Sequence, residues 1–184
     1  MIPTLKTERL ILRPFSPFDA PEIQRLAGDS AVSDMTISIP HPYRDGMAEE
    51  WISGHQEEFE SGHGVTFAIM SKKKGYLIGA IGLRELTQDR QATLGYWIGK
   101  AFWNQGFCTE AGQAVLEYAF TELGLNRIRA SHLSRNPASG RVMQKLGMRY
   151  EGTQGRHVDK WGRDEDFEFY ILSKIDWRNP AAIR

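Results

Sequence analysis

The stretch LGYWIGKAFWNQGFCT, from Leu94 to Thr109, runs straight into the helix-forming segment Glu110 to Leu123 and constrains the fold more than any other part of the chain. An apolar strand stops, a short turn carries Gly106, and a helix begins. Such a junction leaves backbone N–H groups unpaired at the positive end of the helix dipole, which suits a phosphate or pyrophosphate. Read from these residues alone, the chain binds a phosphorylated cofactor. The Gly-Lys-Ser/Thr sequence of a nucleotide-binding phosphate loop is absent from the turn.

Composition narrows the classes of function. The 23 basic residues balance 23 acidic ones, so the basic excess of a nucleic-acid binder is missing. A single cysteine, Cys108, rules out an internal disulfide and a cysteine-rich zinc site. The histidines His41, His55, His63, His132 and His157 show no paired ligand spacing, so no metal site is expected. No apolar run reaches membrane-spanning length, and MIPTLKTERL lacks the apolar core of a signal peptide. The expectation is a cytoplasmic protein of 184 residues forming one domain, residues 1–184, with no nucleic-acid or membrane partner and with a homodimer left open.

Along the chain, Leu10 to Leu12 reads as a strand closed by Arg13 and Pro14. Asp19, Pro21 and Glu22 start a helix that ends at Gly28, and Ala31 to Arg44 is irregular. Met47 to Glu60 is helical, with Trp51, His55 and Phe59 on one stripe. Its five glutamates are either a solvated face or a wall that attracts a cationic acceptor. Val65 to Met70, Tyr76 to Leu83 and Ala92 to Ile98 form a three-strand meander, with Lys72 to Gly75 as a polar turn. Gly124 caps the long helix, and Ile128 to Leu133 follows as a strand reached by a crossover. Asn136 and Pro137 then open a helix that Gly147 stops. Met148 to Glu151 and Phe167 to Leu172 close the chain as a hairpin around a mobile loop.

Three segments carry a resemblance that covers nearly the whole chain: LKTERLILRPFSPFDAPEI at Leu5 to Ile23, LGYWIGKAFWNQGFCTEA at Leu94 to Ala111, and NPASGRVMQKLGMRYEG at Asn136 to Gly152. In this order and spacing they resemble the GCN5-related N-acetyltransferases, within them the branch of ribosomal-protein alanine and serine N-terminal acetyltransferases. The resemblance implies an α/β (α+β) fold with a mixed, mostly antiparallel, splayed sheet of about six to seven strands flanked by about four helices. It implies direct transfer of an acetyl group from acetyl-CoA to a primary amine, with no metal. The leading acceptor is a protein or peptide N terminus; an antibiotic, polyamine or amino sugar is the alternative, and a non-catalytic acyl-CoA sensor is a third reading.

The same resemblance assigns residues. Trp97 and Ile98 border the pantetheine arm, and a backbone donor near Ile98 faces the thioester oxygen. Trp103, Asn104, Gln105, Gly106, Phe107, Cys108 and Thr109 form the pyrophosphate turn. The family pattern prefers Arg or Gln where Trp103 stands and Gly or Ala where Cys108 stands. Asn136 and Ser139 lie near the pantetheine and the departing thiol. Ser139 is the candidate donor to the CoA sulfur, whose ordinary pKa of roughly 8.5 lets it leave largely unprotonated. The family's glutamate base falls here near Val158, flanked by His157 and Asp159, which makes His157 the candidate base and Glu85 the second. A helix N terminus favours a reactive thiolate at Cys108, but a bound pyrophosphate opposes it. From Gly124 to Arg163 nine basic residues face only Glu151 and Asp159, which suits the CoA phosphates.

Overall fold

A computed structural model of the chain describes residues 1–87 and 89–178. Its centre is an eight-stranded sheet of β1 (Leu5–Lys6), β2 (Leu10–Arg13), β3 (Val65–Ser71), β4 (Leu77–Arg84), β5 (Gln91–Ile98), β6 (Arg127–Leu133), β7 (Arg149–Val158) and β8 (Arg163–Ser173), in the order β1-β2-β3-β4-β5-β6-β8-β7. Only β5 and β6 pair in parallel among neighbouring strands, as a crossover through a helix requires. The strand beyond the seven read from the sequence is β1, two residues long and paired Leu5 to Leu12. It is too short to carry a periodic signal.

Side-chain alternation along β3 explains the layers. Val65, Phe67 and Ile69 enter one core with the long helix α5 (Phe107–Thr121), whereas Ala68 and Met70 turn to the other face. There they meet α1 (Ala20–Ala27), α2 (Ser30–Ser33) and α3 (Met47–Ser53) through Ile23, Leu26, Val32 and Ile52. The helix α6 (Pro137–Lys145) packs against α5 and β6, and a short helix, α7 (Lys174–Arg178), follows β8. Among the described residues no helix is long and apolar enough to cross a membrane.

Three local readings change. Asp19 stands at the N-cap of α1, as read, but makes no side-chain cap bond there: Ser16 caps a preceding 3-10 turn over Pro17–Asp19, and the Asp19 carboxylate accepts from Ser16 N at 2.8 Å while gripping Arg13 at 2.7 Å. Burial raises the Asp19 pKa, but the Arg13 and Ser16 hydrogen bonds outweigh it and hold the carboxyl below its usual range. The helix over Met47 to Glu60 is interrupted at Gly54, giving α3 and α4 (His55–Glu60). The C-terminal hairpin is longer than expected, because β7 and β8 stay paired from Arg149–Ile171 out to Val158–Arg163. The segment read as a mobile loop is mostly ladder.

The stripe on α3 and α4 is real, and His55 on it is 7% exposed. Its ring lies 4.4 Å from that of Trp51 and 5.4 Å from that of Phe15, and its Nδ1 has no partner. Burial, with a smaller push from Arg84, lowers its pKa from 6.5 to about 4. Between those values the unfolded chain takes up a proton that the folded one refuses, so stability falls as pH drops through the window. The expected loss is up to about 3 kcal/mol. Urea titrations from pH 7 to 4 should show it, and His55→Leu should flatten the slope; an unchanged slope would refute the assignment.

Candidate active site

β5 and β6 pair only at Gln91–Arg127, Ala92–Ile128 and Thr93–Arg129. Beyond Thr93, β5 continues with β4 alone and β6 with β8 alone, so the sheet forks. The direction of the freed backbone follows from the ladder. Gly99 N donates to Ile78 O, and alternation then turns the N–H groups of Leu94, Tyr96 and Ile98 away from β4 and into the gap. Likewise Ser134 N donates to Asp166 O, which turns Ser131 and Leu133 toward the gap from β6. A cleft of about 770 Å³ follows this fork.

At one end lies the turn. Asn104 and Gly106 hold left-handed φ values of 60° and 78°, and Gly106 ends as the N-cap of α5 without a side-chain cap bond. Glu110 N is the first donor to close a turn, onto Gly106 O at 3.0 Å. The N–H groups of Phe107, Cys108 and Thr109 therefore have no intrahelical acceptor, and they fit an anion. A latch fixes the turn to the β1–β2 corner: Glu110 accepts from Thr7 Oγ1 at 2.5 Å, Arg9 N at 2.7 Å and Arg9 Nε at 2.6 Å, while Arg9 Nη1 donates to Gln105 O at 2.9 Å. Burial raises the Glu110 pKa, but these donors together bring it below its ordinary value. Trp103 Nε1 donates to Ile98 O at 2.6 Å and ties the turn to the end of β5.

Across the gap, Asn136 caps α6 through Ser139 N at 3.3 Å, and Ser139 projects toward β5. Tyr96 Oη lies 2.8 Å from Ser139 Oγ and donates to Ser139 O at 3.1 Å. Burial, with Cys108 nearby, drives the Tyr96 pKa far upward, so the phenol keeps its proton near neutral pH. Burial also pushes the Cys108 thiol well up, leaving it a poor nucleophile. At the fork itself, Thr93 Oγ1 donates to Glu85 Oε2 at 2.7 Å, and Glu85 follows β4 with a left-handed φ of 54°. Such a conformation in a non-glycine residue is uncommon and collects at functional sites.

Trp97, Ile98, Trp103, Asn104, Gly106, Phe107, Cys108, Thr109, Asn136 and Ser139 all border the cleft. Gln105 does not; its side chain turns back to Ala101 O at 3.1 Å. His157 is also outside the lining, on the far part of β7, where Nδ1 bonds Asp164 Oδ1 at 2.9 Å. Glu85, by contrast, does line it, and so does Trp51, whereas the glutamates of α3 and α4 do not. Tyr96 and Arg9 were not read from the sequence as site residues. Each acts through a partner far along the chain, so spacing alone gives no sign of it. Among the described residues no group of three His, Cys, Asp or Glu side chains could hold a metal ion.

The model of the acetyltransferase (GNAT) domain matches residues 9–149, more than half of the chain and including the turn and the start of α6. The chain belongs to the GNAT acetyltransferase family. Relatives match over most of the chain. The uncharacterized N-acetyltransferase YoaA of Bacillus subtilis is 31% identical, with 95% of this chain and 98% of that one covered. The ribosomal protein uS5-alanine N-acetyltransferase of Escherichia coli is 26% identical, with 94% and 92% covered. Among solved structures, a GNAT-family acetyltransferase from Bacillus anthracis superposes with a TM-score of 0.82 at 25% identity, over 94% of this chain and 99% of that one. As a GNAT enzyme the protein is an acetyl-CoA-dependent N-acetyltransferase. The forked sheet and the uncapped turn of α5 fit that cosubstrate.

Proposed function

We propose that this enzyme acetylates the free α-amine of a protein or peptide N terminus. The observation that carries the reading is the charge of the cleft wall. Among the described residues Glu85 is the single carboxylate on it, whereas Arg84, Arg135, Arg141 and Lys145 are cationic. A polyamine brings several positive charges, most of which would meet arginine rather than carboxylate. A peptide N terminus brings one charge, which Glu85 matches. Its first side chains meet an apolar wall of Val32, Met35, Ile37 and Ile39. The basic side chains on α6, Arg141 and Lys145, are left for the CoA phosphates.

In this reading each residue has a separate task. When bound, acetyl-CoA supplies the carbonyl carbon that the amine attacks and the sulfur that departs. Glu85, oriented by Thr93, holds the ammonium at the fork and takes its proton. An α-amine of pKa roughly 7.7–8.0 is already partly neutral, so a single carboxylate suffices. An inward N–H group of β5, that of Tyr96, faces the thioester oxygen. Tyr96, with its one proton turned from Ser139 O onto Ser139 Oγ, fixes the serine and leaves the serine hydroxyl free to donate to the sulfur. Because a thiolate leaves readily, Ser139→Ala should reduce kcat only about threefold to tenfold, the effect of one hydrogen bond. A Tyr96→Phe, Ser139→Ala double variant should lose less than the product of the two single losses, since the groups act as a pair. Strictly multiplicative losses would separate them.

The function is tested by CoA-thiol release from acetyl-CoA with peptides bearing free α-amines, Nα-blocked peptides carrying lysine, spermidine and amino sugars. Free α-amine peptides should give the highest kcat/KM and blocked ones little turnover. A preference for spermidine or an amino sugar would overturn the proposal.

A further inference from the structure

Lys160 lies in the turn that joins β7 to β8, far in sequence from the apolar wall at the acceptor end. Its Nζ nevertheless donates to four oxygens of that wall: Ser33 O at 2.5 Å, Ser33 Oγ at 2.8 Å, Thr36 O at 2.9 Å and Ile39 O at 2.6 Å. Three N–H groups shared among four acceptors make a cage rather than a chance contact. The cage has its own support. Ser33 is fully buried and its Oγ donates to Ile39 O at 3.0 Å, Thr36 Oγ1 donates to Val32 O at 3.1 Å, and the Trp161 ring stands 4.9 Å from Nζ. Arg135 lies over the other side of the hairpin tip, 4.7 Å from the Trp161 ring, and it pairs with Glu165 at 3.1 Å.

The placement matters because of the fork. Residues 33–39 belong to the half of the molecule that ends with β5, and Lys160 belongs to the half that begins with β6. The ammonium therefore spans the two arms of the sheet where backbone pairing between them has ceased. Val32, Thr36 and Ile39, which line the cleft, are held by this one side chain and the bonds around it.

We propose that Lys160 is a specificity-determining positioning residue that sets the width of the acceptor end by tying the wall at 33–39 to the β7–β8 hairpin. The inference rests on the acceptor entering past that wall, but not on its being a peptide. In Lys160→Met the stem remains and the donors are gone. The acceptor KM should rise tenfold or more at little changed kcat, CoA affinity should stay within twofold, and amide hydrogen exchange across residues 33–39 should quicken at least tenfold. Ser33→Ala, which removes one of four acceptors, should give a smaller change in the same direction. The acceptor is whichever amine the panel above ranks first, and the exchange measurement needs none, so failure of the peptide reading leaves this test intact. A purely structural lysine would lower the unfolding temperature and the active fraction at unchanged KM. That result, or unchanged exchange at 33–39, would overturn the proposal.

Discussion

Glu85→Gln is expected to lower kcat/KM for a free α-amine peptide by about 100-fold, toward the lower end of what general acid–base groups contribute. Two effects combine. The amide cannot accept the proton, which costs little more than the fraction of α-amine still charged near neutral pH. It also no longer attracts the ammonium, which removes a charge-assisted contact of about 1.5–3 kcal/mol at the fork. CoA affinity should be unchanged within twofold, because the pyrophosphate turn lies at the other end of the cleft. Thr93→Val, which deletes the 2.7 Å hydrogen bond to Glu85, should reproduce a fraction of the loss. The discriminating measurement is kcat/KM against pH for both variants beside direct CoA titration. A Glu85→Gln enzyme within threefold of the parent would remove Glu85 from the reaction.

Gly106→Val should raise the Kd for CoA by about 100-fold, equivalent to about 2.7 kcal/mol. Gly106 has φ of 78°, where a β-branched residue is strained, and a Cβ there would stand 3.4 Å from Arg9 Nη2. Relief requires the turn to rotate, which would carry the N–H groups of Phe107 to Thr109 away from a common focus. It would also disturb the bond from Arg9 to Gln105 O. Isothermal titration with CoA reads the affinity, and thermal unfolding reports any wider damage. If Gly106→Val bound CoA within threefold of the parent, the turn would not be the anion site.

Much of this architecture was written in local pattern. The apolar run of β5, the glycine that must turn left-handed and the helix after it fixed an anion-binding junction, because each depends on residues adjacent in sequence. Asn136 followed by Pro137 announced the start of α6 for the same reason, and Gly147, with φ of 78°, announced its end. The hairpin strands were undercalled because β7 is exposed almost throughout and so lacks a two-residue alternation of polar and apolar side chains. The break at Gly54 was missed because the apolar stripe of Trp51, His55 and Phe59 keeps its helical spacing across it.

The site divides along the same line. The turn was legible because its free backbone N–H groups are set by a short local motif. Of the polar side chains proposed for the reaction, Ser139 and Glu85 were named from the sequence, Glu85 only behind His157, and Tyr96 was not. His157 was the candidate base, but it stands on the long β7–β8 ladder outside the cleft lining, paired with Asp164. Glu85 reaches the fork because β4 and β5 place Arg84 opposite Thr93, a register that no single stretch records. The sequence by itself determined the family and its cosubstrate, and it marked the turn proposed to receive it. Only the tertiary structure decided that Glu85 lines the cleft while His157 does not, that Tyr96 meets Ser139, and that Lys160 ties residues 33–39 to the β7–β8 hairpin, because the folded sheet alone brings these distant residues together.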